Sequence, residues 1–265
     1  VVRFAFLYKY VKFSIKTVMK RRKWNLFFIV AIPLVCSCGT KQQQDTAQCI
    51  PEEGVRKTMR YLVPDDYMAD PAVHVFNDRL YIYPSHDWES GIVENDNGDH
   101  FNMKDYHVFS TTDVMRGEIK DHGVVLEVED IPWAGRQLWD CDVVEKDGKY
   151  YMYFPLKDRN DIFRIGVAVG DCPEGPFVPQ PAPIKGSYSI DPAVLDDGNG
   201  NYYMYFGGLW GGQLQRYRDN KALECAAFPA DDEPALPSRV VKLSEDMLEF
   251  AEAPREVIVL GEDGK

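Results

Sequence analysis

Acidic side chains are missing from the first 37 of the 265 residues, which hold eight basic ones: Arg3, Lys9, Lys12, Lys16, Lys20, Arg21, Arg22 and Lys23. Setting these eight aside leaves 22 Lys and Arg against 42 Asp and Glu, a balance of −20 instead of −12. A body this acidic repels phosphate, which argues against nucleic acid or an anionic lipid surface and in favour of an uncharged partner. Long apolar runs are also missing. The longest, from Trp24 to Val35, is broken by Pro33 and falls short of the roughly 20 residues that span a bilayer. Beyond Cys38 the cysteines (Cys49, Cys141, Cys172, Cys225) form no C-x-x-C pair and none lies near a histidine at metal-ligand spacing. That pattern calls for no metal and no cofactor. After Val55 no segment sustains a helical period, which excludes a helical bundle.

What is present begins with an export signal. Lys20-Arg21-Arg22-Lys23 followed by the short apolar run reads as a signal peptide, with Val1 to Val18 upstream of its start. Val35-Cys36-Ser37-Cys38 resembles the bacterial lipobox, so Cys38 is expected to be acylated and to become the mature N-terminus. The expected organisation is a leader over 1–37, a polar tether over 38–60 and a folded domain over 61–265. The protein is then an exported envelope lipoprotein that meets the membrane only through its anchor.

The folded part repeats. Tyr-Tyr-Met-Tyr-Phe occurs at Tyr150 to Phe154 and again at Tyr202 to Phe206. Asp70-Pro71-Ala72-Val73, Asp140-Cys141-Asp142-Val143 and Asp191-Pro192-Ala193-Val194 each precede a tyrosine (Tyr81, Tyr151, Tyr202) by the same distance, with a turn between. Each unit therefore opens as a hairpin headed by an aspartate, and a turn one residue longer in the last unit accounts for the slip between the two offsets. A second hairpin follows each time: Val108 to Thr111 with Val124 to Leu126, Ile165 to Val169 with Phe177-Val178, and Val240 to Leu243 with Phe250 and Val257 to Leu260. Four strands per unit predict an all-β fold of β-propeller blades, about three of them, whereas rings close with 4–8. The sequence is accordingly expected to be C-terminally incomplete.

The first strand of a blade lines the central channel, so Asp70 and Asp191 are expected at one mouth of it. Two carboxylates in one pocket suit glycoside hydrolysis, one to activate water and one to protonate the leaving oxygen. Asp-Pro at a strand entry also serves as a simple cap, and that reading stays open. Tyr67 to Val73, Leu80 to Asp87, Ser189 to Val194 and the stretch Trp139 to Tyr153 together resemble glycoside hydrolase family 43. The resemblance implies a five-bladed propeller that inverts α-L-arabinofuranosides or β-D-xylosides. It also implies that Asp70 is the general base and that Asp191 is the carboxylate tuning the acid. The family's acid is a glutamate heading a later blade. Glu249, Glu252 and Glu256 lack that context, so no general acid is expected in this chain and the chain by itself is expected to be inactive.

Carbohydrate contacts are expected from His86, Asp87, Trp88, Trp139 and Asp140, because aromatic faces stack on sugar rings and short polar groups bind hydroxyls. The acidic stretch from Trp88 to Phe101 reads as a solvated insertion without the ordered ligands of a calcium site. Two other functions fit the same residues: a non-catalytic glycan-binding lipoprotein, and a retaining five-bladed hydrolase of the fructan- and sucrose-cleaving type.

Overall fold

The computed structural model describes residues 60–261. The leader, Cys38 and nearly all of the tether lie outside them. Within them the chain is all-β, with only short turns of 3-10 helix. Three antiparallel sheets follow in chain order. The first comprises β1 (Met68–Phe76), β2 (Arg79–Trp88), β3 (Asn102–Thr111) and β4 (Lys120–Glu127), each paired with the next. In the second, β5 (Ala134–Arg136) and β6 (Asp142–Lys146) both pair with β7 (Lys149–Asp158), which leads to β8 (Phe163–Gly170) and β9 (Val178–Pro179). The third orders β10 (Ala193–Asp196), β11 (Tyr202–Phe206), β14 (Arg239–Lys242) and β15 (Arg255–Glu256), with a small hairpin of β12 (Tyr217–Arg218) and β13 (Lys221–Ala222) inserted before β14.

The repeat is visible in the registers. Tyr151 sits opposite Val144 and Tyr203 opposite Leu195, each four residues after its aspartate, so the two pentapeptides occupy equivalent second strands. In the first two hairpins the strands are joined by Asn77-Asp78 and Asp147-Gly148, all at positive φ. That is the type I′ pattern, whose twist matches that of the strands. In the third hairpin Asp197 N–H bonds Asn201 C=O across Gly198 to Gly200. Its tip is one residue longer, and this is the source of the slip between the offsets.

Residues along a strand point alternately to its two faces. On β7, Tyr150, Met152, Phe154 and Leu156 turn to a core shared with Tyr83, Tyr106 and Val108 of the first sheet. Tyr151 and Tyr153 turn the other way, to a core shared with Met204, Phe206 and Val241 of the third. Buried tyrosine hydroxyls are satisfied: Tyr83 donates to the Pro173 carbonyl (2.7 Å) and Tyr153 to that of Met247 (2.8 Å). One expected strand is not formed. Residues 257–260 run past Arg239, where β14 begins, so beyond the bond from Val257 N–H to Ser238 C=O no ladder partner remains, and Ile258, Val259 and Leu260 are exposed.

Candidate active site

Each of the three motif aspartates follows a residue that is packed into one small apolar cluster. Ala69, Trp139 and Ile190 meet there with Met103 and Phe163. Asp70, Asp140 and Asp191 therefore leave the chain from a common region, although they are far apart in sequence and stand at the entries to three different sheets. Asp70 is exposed, and Asp140 and Asp191 are half-buried.

The backbone at two of these positions is unusual. Asp70 (φ 41°) and Asp191 (φ 57°) are both left-handed, a region that costs most residues about a kcal/mol or more but that aspartate tolerates best after glycine and asparagine. At Asp70 the conformation belongs to a bulge: the β1–β2 register breaks between Ala69 and Ala72, which expels Asp70-Pro71 from the ladder. Proline fits there because no ladder N–H is needed. At Asp191 the neighbouring Ser189 is also left-handed, and its hydroxyl donates to the Gly212 carbonyl (2.7 Å) and accepts from Gly208 N–H (3.0 Å).

Trp139-Asp140 is fixed from several sides. Leu138 N–H bonds Met103 C=O (3.0 Å), Trp139 N–H bonds Pro155 C=O (3.2 Å), and the buried Tyr106 hydroxyl donates to the Trp139 carbonyl. Trp139 itself is buried, with its ring 4.7 Å from that of Phe163 and edge-on to Phe101. Burial pushes the Cys141 thiol well above its ordinary pKa, and Asp142 and Asp140 add to the shift, so the thiol is neutral. It donates to the Tyr83 carbonyl.

Three features of this region were not foreseen from the sequence. The run Gly207 to Gly212 lets the backbone approach the aspartates. A methyl group on Gly208 would lie 2.8 Å from Ile190 Cδ1 and 3.9 Å from Asp191 Oδ2, and one on Gly211 would lie 3.0 Å from the Trp139 ring. Four glycines in six residues were the available signal. The second is Asp142, which stands where the other two units have alanine. Its buried carboxylate accepts from His74 Nε2 (2.5 Å), Val143 N–H (2.8 Å) and Val194 N–H (2.7 Å), and so ties β1, β6 and β10 together. The third is the insertion after Trp88, which is not merely solvated. Gly98 packs on Trp139, Gln137 donates to the carbonyls of Gly98 and Phe101, and the buried Lys157 donates to that of Asn97 (3.0 Å). Asp99 receives Arg136 (2.6 Å). Burial alone would raise the Asp99 pKa, but the hydrogen bonds from Arg136 and Asn97 outweigh it and hold the carboxyl below the usual range.

His86, Asp87 and Trp88 end β2. Asp87 lies opposite Met103 of the apolar cluster, and its carboxylate accepts from Asn102 N–H (3.2 Å). Trp88 is 46% exposed and donates its indole N–H to Asp105 Oδ2 (3.0 Å). His86 is buried, with Nδ1 2.9 Å from Asp105 Oδ1 and Nε2 3.1 Å from Asp66 Oδ1. The Tyr67 N–H bonded to Asp66, and then the nearby His86, hold that carboxyl below its ordinary value despite some opposing desolvation. Glu249, Glu252 and Glu256 are exposed and engaged elsewhere: Glu249 with Lys185 N–H (3.3 Å), Glu252 with Arg255 (3.1 Å) and Glu256 with Arg239 (3.5 Å).

Comparison with known proteins places this geometry. The family of glycosyl hydrolases family 43 matches residues 63–256. A xylosidase/arabinosidase of Bacteroides ovatus is 80% identical over 206 residues, covering 78% of this chain and 63% of that protein. A beta-xylosidase of Xylanibacter ruminicola is 56% identical over 207 residues, covering 78% and 65%. Among solved structures, a beta-xylosidase superposes with a TM-score of 0.76 at 76% identity, covering 78% of this chain and 64% of that one. A β-xylosidase/α-arabinofuranosidase from a compost metagenome, in complex with xylotriose, superposes at 0.74 with 56% identity over 78% and 63%. The chain thus spans less than two thirds of the length of these relatives.

Proposed function

From the chain's membership of glycosyl hydrolase family 43, we propose that it forms the N-terminal part of an inverting glycosidase acting on β-D-xylosides or α-L-arabinofuranosides. The convergence of Ala69, Trp139 and Ile190 on one apolar cluster carries this reading, because it gathers the following aspartates at one place. The xylosidase and arabinosidase relatives support the substrate class. In this proposal the three sheets are blades of a five-bladed propeller.

Asp70 is the general base. It is the most exposed of the three aspartates, as a group that must reach a water molecule requires. Asp191 keeps the general acid protonated, since like charges in one pocket raise a neighbour's pKa. Trp88, Asp87 and Asp140 contact sugar, while the buried Trp139 and His86 support them from behind. In this proposal the general acid lies beyond the 265 residues, which by themselves leave the glycosidic oxygen unprotonated and do not turn over. Acylation at Cys38 anchors the exported protein to the cell envelope, a reading that rests on the lipobox-like Val35 to Cys38.

Assay of the longer protein on nitrophenyl β-xyloside and α-arabinofuranoside tests the enzyme. Release of the product with inverted anomeric configuration, seen by NMR, supports an activated water, and retention would defeat the role given to Asp70. Enzyme-like rates from the 265 residues alone would show that the acid is among them. Mass spectrometry of the exported protein should find Cys38 lipidated with nothing before it, and a mature form keeping Lys20 to Val35 would refute the anchor.

A further inference from the structure

The β2–β3 pairing assembles a second group of side chains, apart from the three motif aspartates. His86 and Asp105 are directly opposed across the two strands, and His107 lies two residues after Asp105 and so on the same face. One ligating atom from each lies within 4.8 Å of the other two. Asp105 Oδ1 is 2.9 Å from His86 Nδ1 and 3.6 Å from His107 Nε2. Zinc bonds of about 2.0–2.2 Å at tetrahedral angles put ligand atoms roughly 3.3–3.5 Å apart, near the two Asp105 distances, while the two imidazole nitrogens, within 4.8 Å, draw together by about 1 Å when the ion binds.

The outer atoms of the same three side chains are each held. His86 Nε2 faces Asp66 (3.1 Å), His107 Nδ1 faces Asp121 (3.4 Å), and Asp105 Oδ2 accepts the Trp88 indole N–H (3.0 Å). A carboxylate behind each imidazole, and a donor behind the ligating carboxylate, is the arrangement that orients metal ligands and raises imidazole basicity. The three central side chains are no more than 16% exposed, whereas Asp66 and Asp121 are about half exposed and leave an approach from solvent. Asp66, Asp105 and Asp121 together make the surroundings attractive to a cation.

We propose that His86, Asp105 and His107 form a binding site for a divalent transition metal of the zinc class, with water in the fourth position. His86 Nε2 faces Asp66 (3.1 Å) and Nδ1 faces Asp105 (2.9 Å), so the ring is oriented from both sides. The ion lies between His86 Nδ1 and Asp105, while Nε2 keeps its contact with Asp66. The two imidazoles and the shared carboxylate then bridge β2 and β3, beside the ladder register break between His86 and Asp87.

The test is calorimetric titration of Zn²⁺ into chelator-stripped protein, with Co²⁺ absorption as a report on the ligand set. Wild type is expected to take up one ion per chain and to give the intense visible band of tetrahedral cobalt. Asp105→Asn and His107→Gln should each lose that band and weaken zinc binding by more than roughly a hundredfold, with circular dichroism unchanged. Trp88→Phe, which deletes only the indole N–H of a half-exposed side chain, should weaken binding by about 10-fold or more and decides the matter if the buried variants fold poorly. Absence of stoichiometric uptake by folded wild type would overturn the site, as would equal zinc affinity in wild type, His107→Gln and Trp88→Phe. In either case the cluster is a hydrogen-bonded one only.

Discussion

The same five residues, Tyr-Tyr-Met-Tyr-Phe, serve in two sheets of this molecule under different conditions. In β7 both faces are covered, so Tyr153 is fully buried between Ile165, Val167 and Met247 while Met152 and Phe154 fill the opposite core. In β11 the face carrying Met204 and Phe206 is equally buried, but Tyr205, the counterpart of Tyr153, is 39% exposed among the described residues. Identical local sequence has produced the same strand and the same register. It has not produced the same burial, because burial belongs to whatever packs on the strand.

The sharpest effect expected here concerns chemistry at the head of such a hairpin. In the longer protein Asp70→Asn should reduce turnover by about 10²–10⁴-fold, the usual contribution of a general base, with sugar binding largely retained. Steady-state kinetics with a direct binding measurement checks it, and a loss confined to KM would place Asp70 among the binding groups instead. Asp191→Asn should lower turnover less and move the alkaline limb of the pH–rate profile to lower pH, because a neutral neighbour no longer raises the acid's pKa.

The pentapeptides themselves can then be set against each other by urea unfolding. Tyr153→Ala should cost about 3–5 kcal/mol, the range for emptying a large buried aromatic site, while Tyr205→Ala should cost under about 1 kcal/mol. Met152→Ala and Met204→Ala, at the two fully buried positions, should cost similar amounts, roughly 2–5 kcal/mol each. Equal effects for the two tyrosines would mean that the open face of β11 is covered in solution.

Asp142 separates the units in another way, as a carboxylate where its counterparts Ala72 and Ala193 have only a methyl group. Removing it leaves two backbone N–H groups and His74 without their acceptor, so Asp142→Ala should cost about 3 kcal/mol. Asp142→Asn, which keeps an acceptor oxygen, should cost clearly less. The smallest effect is at Asp99. Its carboxyl is held below 3.8 in the folded state, so its contribution is present above that pH and is lost as the pH falls through the lower, folded value. Asp99→Asn should be less stable by roughly 0.5–1 kcal/mol near neutrality, and the difference should vanish in stronger acid.

Much of the architecture was legible in the residues. Alternation of large apolar side chains specified strands, Asp-Gly and Asn-Asp specified tight turns, and the spacing from aspartate to tyrosine specified the hairpin register. These are local properties that a chain carries wherever it goes. The exposed end at 257–260 was misread as strand for the complementary reason, since Val, Ile and Leu favour extension but cannot supply the partner that ends at Arg239. Residue spacing likewise brought out Asp70 and Asp191, because each heads a repeated motif. It could not bring out Asp105 and His107, which head nothing and meet His86 only through a cross-strand pair. Nor could it show that Asp142 joins three strands or that glycines 207–212 press on Ile190 and Trp139. The sequence by itself determined the strands, their turns and the aspartates that open them, through backbone preferences acting over a few residues. Which of those aspartates stand together, and which histidine finds which carboxylate, only the tertiary structure decided, because those distances depend on sheets formed from residues tens of positions apart.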